Sequence, residues 1–232
     1  MIIIYLETFM LVLILSHQPL MTLQTYLLKD YIMELFTAIK ERRAIKNFDH
    51  QAKIPEADFT KIMESVLLSP TSYNIQHWRF VRVKEPQLRQ KMKDVAWGQQ
   101  QIEDASELII LCADTQAWSD RPERYWANAD QSTQNMLVSM LQDFYRDKPQ
   151  MQRDECMRSC GMAAQTLMLS AKALGYDTCP MVGFDHSTIA EMINLPKDHL
   201  VGMIIVMGKA AQTAHGRGGQ LPLSEVLVNN TF

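Results

Sequence analysis

Residues 107–113 read ELIILCA, an apolar run without alternation. Successive side chains of a strand point to opposite faces, so a strand wetted on one side alternates apolar with polar residues. A run that is apolar throughout belongs to a strand covered on both sides. LVGMIIVMG at 200–208 is a second core strand, and WRFVRV at 78–83 is a short β-rich segment. Helices are equally plain. Phe59, Ile62, Met63, Val66 and Leu67 recur at the i, i+3, i+4, i+7, i+8 spacing of a helix with one buried stripe; Pro55 suits its first turn and Pro70 lies past its end. Cys160, Ala163, Ala164, Leu167, Met168, Ala171 and Leu174 draw a long stripe of small and apolar residues that stops at Gly175, a natural residue just beyond a helix C-terminus. Residues 86–104 have helical character. Residues 121–150 hold four aromatics and no strand signal, and are expected as helices or as an excursion over the surface or a partner. Helices and strands mix without strict βαβα alternation, so the expected class is α+β rather than a doubly wound sheet.

Lys and Arg number 23 against 26 Asp and Glu, a net charge of -3, which provides no basic field for nucleic acid or an anionic membrane. Small-molecule or cofactor chemistry is favoured. The charge is unevenly spread, because Glu7 is the only charged side chain in residues 1–28. Residues 1–15, MIIIYLETFMLVLIL, lack the cations that open a signal peptide and the small-residue site that closes one. A span needs about 20 apolar residues, and Glu7 would sit inside it, so a membrane segment is not expected. Residues 1–32 are expected to be an atypical apolar extension: an over-long gene start, with Met21 and Met33 as internal candidates, a weak anchor, or an added packing helix. No repeat, linker or composition break follows, which argues for one domain over 33–232.

Cys112, Cys156, Cys160 and Cys179 form no CxxC pair and are expected in the core; the six His are scattered, and no metal site is expected. GxSxG, GxxxxGK[ST] and GxGxxG are all missing, which removes the fingerprints of an α/β-hydrolase, a P-loop nucleotidase and a Rossmann domain. ERRAIKNFD at 41–49 places Arg42, Arg43 and Lys46 at the end of an expected helix. Either they complement the negative end of the helix dipole or they bind an anion, Arg as a bidentate fork and Lys as a point charge. In SPTSYNIQHWRF at 69–80, Ser72, Asn74 and Gln76 either make turns or, in an extended segment, point Asn74 and Gln76 the same way toward a planar polar ring.

ERRAIKNFD, SPTSYNIQHWRF, WGQQQIEDASELII, AKALGYDTCPMVGFD and GKAAQTAHGRGGQLPLSEV, in that order, resemble the FMN-dependent nitroreductase family, particularly its small bacterial NAD(P)H-dependent members, over roughly residues 34–228. The resemblance implies an α+β fold, a three-layer α/β/α sandwich around a central mostly antiparallel sheet. It also implies an intertwined homodimer with two FMN sites at its interface. By the same resemblance Arg42 and Arg43 approach the FMN phosphate and ribityl chain, and Lys46 sits beside flavin N1/O2. Ala44, where Ser is frequent, serves through its backbone only. Ser72, Asn74 and Gln76 come from the other subunit, with His77 in place of the commoner Pro. Gln99 and Gln101 meet the flavin or ribityl, while Gly98 stands where Asn is usual. Backbone amides of Pro180, Met181, Val182 and Gly183 approach flavin N5, with Val182 where Glu is often found. Arg217 is carried over as a phosphate ligand, since Gln220 stands where an Arg usually precedes Leu-Pro.

The activity so implied is hydride transfer from NADH or NADPH through flavin N5 to nitroaromatic, quinone or similar electron-poor acceptors by a ping-pong cycle. The protein is expected in the cytoplasm, and no side chain need be catalytic in its own right, because a fixed cation at N1/O2 is what hydride delivery to N5 requires. Alternatives on the same fold are dehalogenation, ring oxidation, flavin breakdown, or FMN binding without turnover. Arg121, Arg124, Arg146 and Lys148 lie in the variable segment that would shape the pocket over the flavin.

Overall fold

The apolar runs are core strands, as expected, in the computed structural model, which describes residues 33–232; the readings made of residues 1–32 lie outside the described residues. Strands β1 (Trp78–Arg82), β2 (Glu107–Asp114), β3 (Asp177–Met181) and β4 (His199–Gly208) form one sheet in the order β1-β2-β4-β3, antiparallel at each junction. Around it stand α1 (Leu35–Glu41), α2 (Glu56–Val66), α3 (Pro86–Val95), α4 (Gln101–Asp104), α5 (Gln131–Tyr145), α6 (Pro149–Ala173), α7 (His186–Met192) and α8 (Leu223–Val226).

Every residue of β2 is buried, and its two faces meet different partners. Leu108, Ile110 and Cys112 join Met92 of α3 and Ile189 of α7, whereas Ile109 and Leu111 join Ile62 and Val66 of α2 and Ala163, Leu167 and Ala171 of α6. That is the three-layer α/β/α arrangement. At roughly 1.5–3 kcal/mol for each large apolar side chain buried, these contacts outweigh the ~1 kcal/mol span of strand propensity. The small residues of α6 allow close approach: a Cβ on Gly202 of β4 would lie 3.4 Å from the Cys160 side chain.

Helix α2 begins one residue after Pro55, which is its N-cap rather than part of its first turn. Helix α6 is longer than the stripe that revealed it and absorbs the end of the 121–150 segment, most of the rest of which is α5. Its exit is a Schellman turn. Gly175 takes φ 76°, its N–H donates to Lys172 O (2.9 Å) and the N–H of Tyr176 donates to Ala171 O (2.9 Å). The turn feeds directly into β3, a strand that no sequence signal marked. DTCPM is short and mixed, and pairing with β4, from Asp177 opposite Gly208 to Met181 opposite Ile204, makes it a strand; Pro180 is tolerated because β3 is an edge.

Arg89 joins α3 to the sheet. Its guanidinium, in a residue only 7% exposed, donates to Val83 O (2.9 Å), Ala105 O (2.6 Å) and Ser106 O (3.1 Å). Arg89→Met keeps the aliphatic stem and orphans three carbonyls, so stability is expected to fall by about 2–4 kcal/mol. Urea denaturation checks this, and an unchanged midpoint would contradict it.

Candidate active site

Helix α1 starts where the Glu34 carboxylate accepts the Thr37 N–H (3.1 Å), and ends at Arg42, whose N–H donates to Ala38 O (2.8 Å). The chain then runs along the outer edge of β3. Ala44 bridges Thr178, Ile45 N donates to Thr178 O (3.0 Å), and Phe48 bridges Ala210 beyond β4. This path carries Lys46 past β3, near enough to Cys179 for its charge to act on the thiol. Burial pushes that thiol's pKa up, while the positive charge of Lys46 acts in the opposite direction. Gln101, itself buried, donates to Gln99 Oε1 (3.0 Å) and Met181 Sδ (3.7 Å), and Gln99 donates to Gly183 O (2.8 Å). Arg217 closes the group from the other side, donating to Lys40 O (2.8 Å) and Arg42 O (3.3 Å), carbonyls that the end of α1 leaves without a helical partner.

The segment that holds Arg42, Ala44 and Lys46 thus passes β3 through Ala44 on Thr178, Gln99 and Gln101 reach the Pro180–Gly183 segment at Gly183 and Met181, and Arg217 meets the Arg42 carbonyl, with Arg43 next in the chain to Arg42. Among the described residues none of Arg42, Arg43, Lys46 and Arg217 makes an ion pair. Cations without carboxylates, beside amide donors, suit a phosphate and an electron-rich carbonyl edge.

Ser72, Asn74 and Gln76 are elsewhere, leading into β1 at the far edge of the sheet, three strand spacings or roughly 14 Å across from β3. The segment is not extended, as a shared direction for Asn74 and Gln76 required. Ser72–Asn74 is a 3-10 turn, and Tyr73 (φ 49°), Asn74 (φ 52°) and Gln76 (φ 52°) all occupy the left-handed region. Hydrogen bonds hold them there: Asn74 Nδ2 to Tyr125 O (2.8 Å), Gln76 N to Thr71 Oγ1 (3.2 Å) and Gln76 Nε2 back to Asn74 O (3.3 Å). His77 follows, 1% exposed, with Nδ1 3.4 Å from Ser159 Oγ.

Trp97 was not anticipated. It sits at φ 57° before Gly98 at φ 70°, is 77% exposed, and lays its ring over Gly183, where an added Cβ would come within 2.5 Å of Cζ3. Val182, 65% exposed, adjoins it in the chain segment beneath. A Trp beside helical sequence reads as core, and only the Trp-Gly dipeptide before three Gln hinted at an exposed turn.

A nitroreductase-family profile matches residues 39–209, and the chain belongs to the nitroreductase family. It is 44% identical over 200 residues to protein DrgA of Synechocystis sp., covering 84% of this chain and 95% of that one. It is 30% identical over 194 residues to a Bacillus subtilis protein named as NAD(P)H nitroreductase MhqN, covering 81% and 94%. Among solved structures, a nitroreductase of Exiguobacterium sibiricum in complex with FMN superimposes with a TM-score of 0.79 at 28% identity, covering 84% of this chain and 97% of that one.

Burial, with the Arg79 charge nearby, lowers the His77 pKa to about 4. An unfolded His titrates near 6.5, so between those values the unfolded chain binds more protons and stability rises with pH. The imidazole therefore contributes fully above about pH 6.5 and loses about 3 kcal/mol as pH falls to 4. Denaturant titrations at pH 7 and 4.5 should show a smaller loss for His77→Gln than for the unchanged protein; equal losses would contradict the assignment.

Proposed function

We propose that the protein is a cytoplasmic, homodimeric FMN-dependent oxidoreductase that takes hydride from NAD(P)H and delivers it to nitroaromatic, quinone or similar electron-poor acceptors in a ping-pong cycle. The observation that carries the reading is the uncompensated donor group along the β3 edge: Gln101 on Met181 Sδ, Gln99 on Gly183 O, Arg217 against the Arg42 carbonyl, and Lys46 without an ion pair among the described residues. Its chemistry fits FMN, since the guanidinium groups supply bidentate donors for a phosphate and the ammonium a point charge for the flavin's N1/O2 edge. When bound, FMN would supply the hydride-transfer chemistry.

In this reading Arg42, Arg43 and Arg217 hold the phosphate and ribityl chain, with the Ala44 backbone between them. Lys46 stabilises negative charge as it develops at N1/O2, an effect strengthened where water is excluded. Gln99 and Gln101 orient the ring edge, and the backbone of Pro180, Met181, Val182 and Gly183 lies along N5. Trp97 and Val182 offer an apolar surface beside that segment, suited to a planar acceptor. Among the described residues no helix is long and apolar enough to cross a membrane.

Two features support the dimer. Ser72, Asn74 and Gln76 lie at the sheet edge opposite the cationic group, so a second copy is needed to bring both sets to one cofactor. Residues 215–232 are exposed throughout, including Leu221, Leu223 (70%), Val226 and Leu227, and α1 exposes Leu35 and Phe36 while α5 exposes Met136, Met140 and Phe144. Apolar faces of this extent call for a partner.

Purified protein is expected to be yellow, and Lys46→Ala to weaken FMN binding by about tenfold or more and to slow flavin reduction by NAD(P)H in anaerobic stopped flow. A colourless protein that takes up no FMN on reconstitution defeats the reading. Ending the chain at Gln220, which retains Arg217, should convert a dimer to a monomer in sedimentation analysis and abolish FMN retention; a truncated chain that stays dimeric would remove the tail from the interface.

A further inference from the structure

Tyr145 ends α5, is fully buried, and places its hydroxyl 2.8 Å from Ser72 Oγ. Both ends of the residue are fixed. Its ring meets Tyr73 edge-on with centroids 6.3 Å apart, and its carbonyl accepts from Gln152 Nε2 (2.8 Å) and Lys148 N (3.2 Å). A phenol is a stronger acid and a poorer acceptor than an aliphatic hydroxyl, so in this pair the Tyr145 O–H donates and Ser72 Oγ accepts. Burial reinforces this by raising the Tyr145 pKa and keeping the proton on the phenol.

The consequence falls on Ser72. With one lone pair engaged by Tyr145, its own hydrogen is left over, and among the described residues that O–H donates to no acceptor. Ser72 is half-buried rather than sealed, and it opens the turn whose left-handed residues Asn74 and Gln76 are pinned by Tyr125 O and Thr71 Oγ1. A hydroxyl that already accepts one hydrogen bond and has its proton free is suited to donate to a phosphate or other strongly accepting oxygen.

We propose that Tyr145 is a positioning residue that sets Ser72 as a one-way hydrogen-bond donor to an oxygen of the FMN held by the partner copy, an inference that rests on the FMN-dependent reading above. Tyr145 does not touch the cofactor in this scheme; it acts through Ser72.

The test is a double-mutant cycle on FMN affinity, read by quenching of flavin fluorescence with full-length apoprotein. Ser72→Ala and Tyr145→Phe are each expected to raise the Kd about tenfold, and the double variant to raise it by the same factor, because the two side chains serve one hydrogen bond. Ser72→Thr, which keeps the hydroxyl, should stay within about twofold of the unchanged protein. Tyr145→Phe keeps the packed ring, and circular dichroism melting of each apoprotein confirms that affinities are compared between folded chains. If the two losses multiply in the double variant, Tyr145 acts by packing alone and the inference falls. Unchanged affinity in either single variant, with the unchanged protein still binding FMN, also overturns it. Failure of the unchanged protein to bind FMN would instead defeat the parent reading.

Discussion

The pairing of β2 with β4 is the constraint on which the rest depends. From Glu107 opposite Met207 to Asp114 opposite His199, two apolar strands lie side by side with cover on both faces, and a register shift between Leu111 and Cys112 adjusts the ladder next to Gly202. Sliding either strand by one residue would exchange the sets that meet α3 and α7 with those that meet α2 and α6. Once that pair is fixed, β1 and β3 can add only at opposite edges. The two halves of the set proposed to bind FMN then stand apart within one chain.

Electrostatics of the β3 edge follow from the same layout. Helix α1 directs its C-terminal carbonyls toward Arg217 and leaves Arg42 and Arg43 at its end, where the helix dipole favours cations before any ligand arrives. Charge complementing a helix end and charge binding an anion were alternatives in the sequence; in the fold both fit one place, because Arg217 satisfies the carbonyls while the other cations have no carboxylate among the described residues. The opposite edge is built differently, from strained turns and neutral hydrogen bonds around Ser72–His77, with Tyr125, Tyr145 and Ser159 as supports.

Legibility tracked how much of each signal was local. ELIILCA and LVGMIIVMG announced buried strands because their periodicity needs no partner to be read, and the stripe ending at Gly175 announced both α6 and its stop. β3 was invisible because its strand character comes from β4, not from DTCPM. Arg42, Lys46, Gln99, Gln101 and Arg217 could be nominated from resemblance, yet the path of the 42–48 segment along β3 depends on single bridges, which no pattern encodes. The 72–76 stretch invited an extended reading, and long-range bonds from Asn74 to Tyr125 and from Tyr145 to Ser72 hold it as a turn instead.

The amino-acid sequence by itself determined the class of fold, the covered strands, the long small-residue helix and the residue types available for chemistry, because periodicity and composition act over a few residues at a time. Tertiary structure decided what those residues do together. It brought Gln101 to Met181 and Gln99 to Gly183, exposed Trp97 over Gly183, and sent Ser72, Asn74 and Gln76 to the far edge of the sheet. The physical reason is that these placements are set by strand order and by contacts between residues distant in the chain, which exist only once the β2–β4 core has formed.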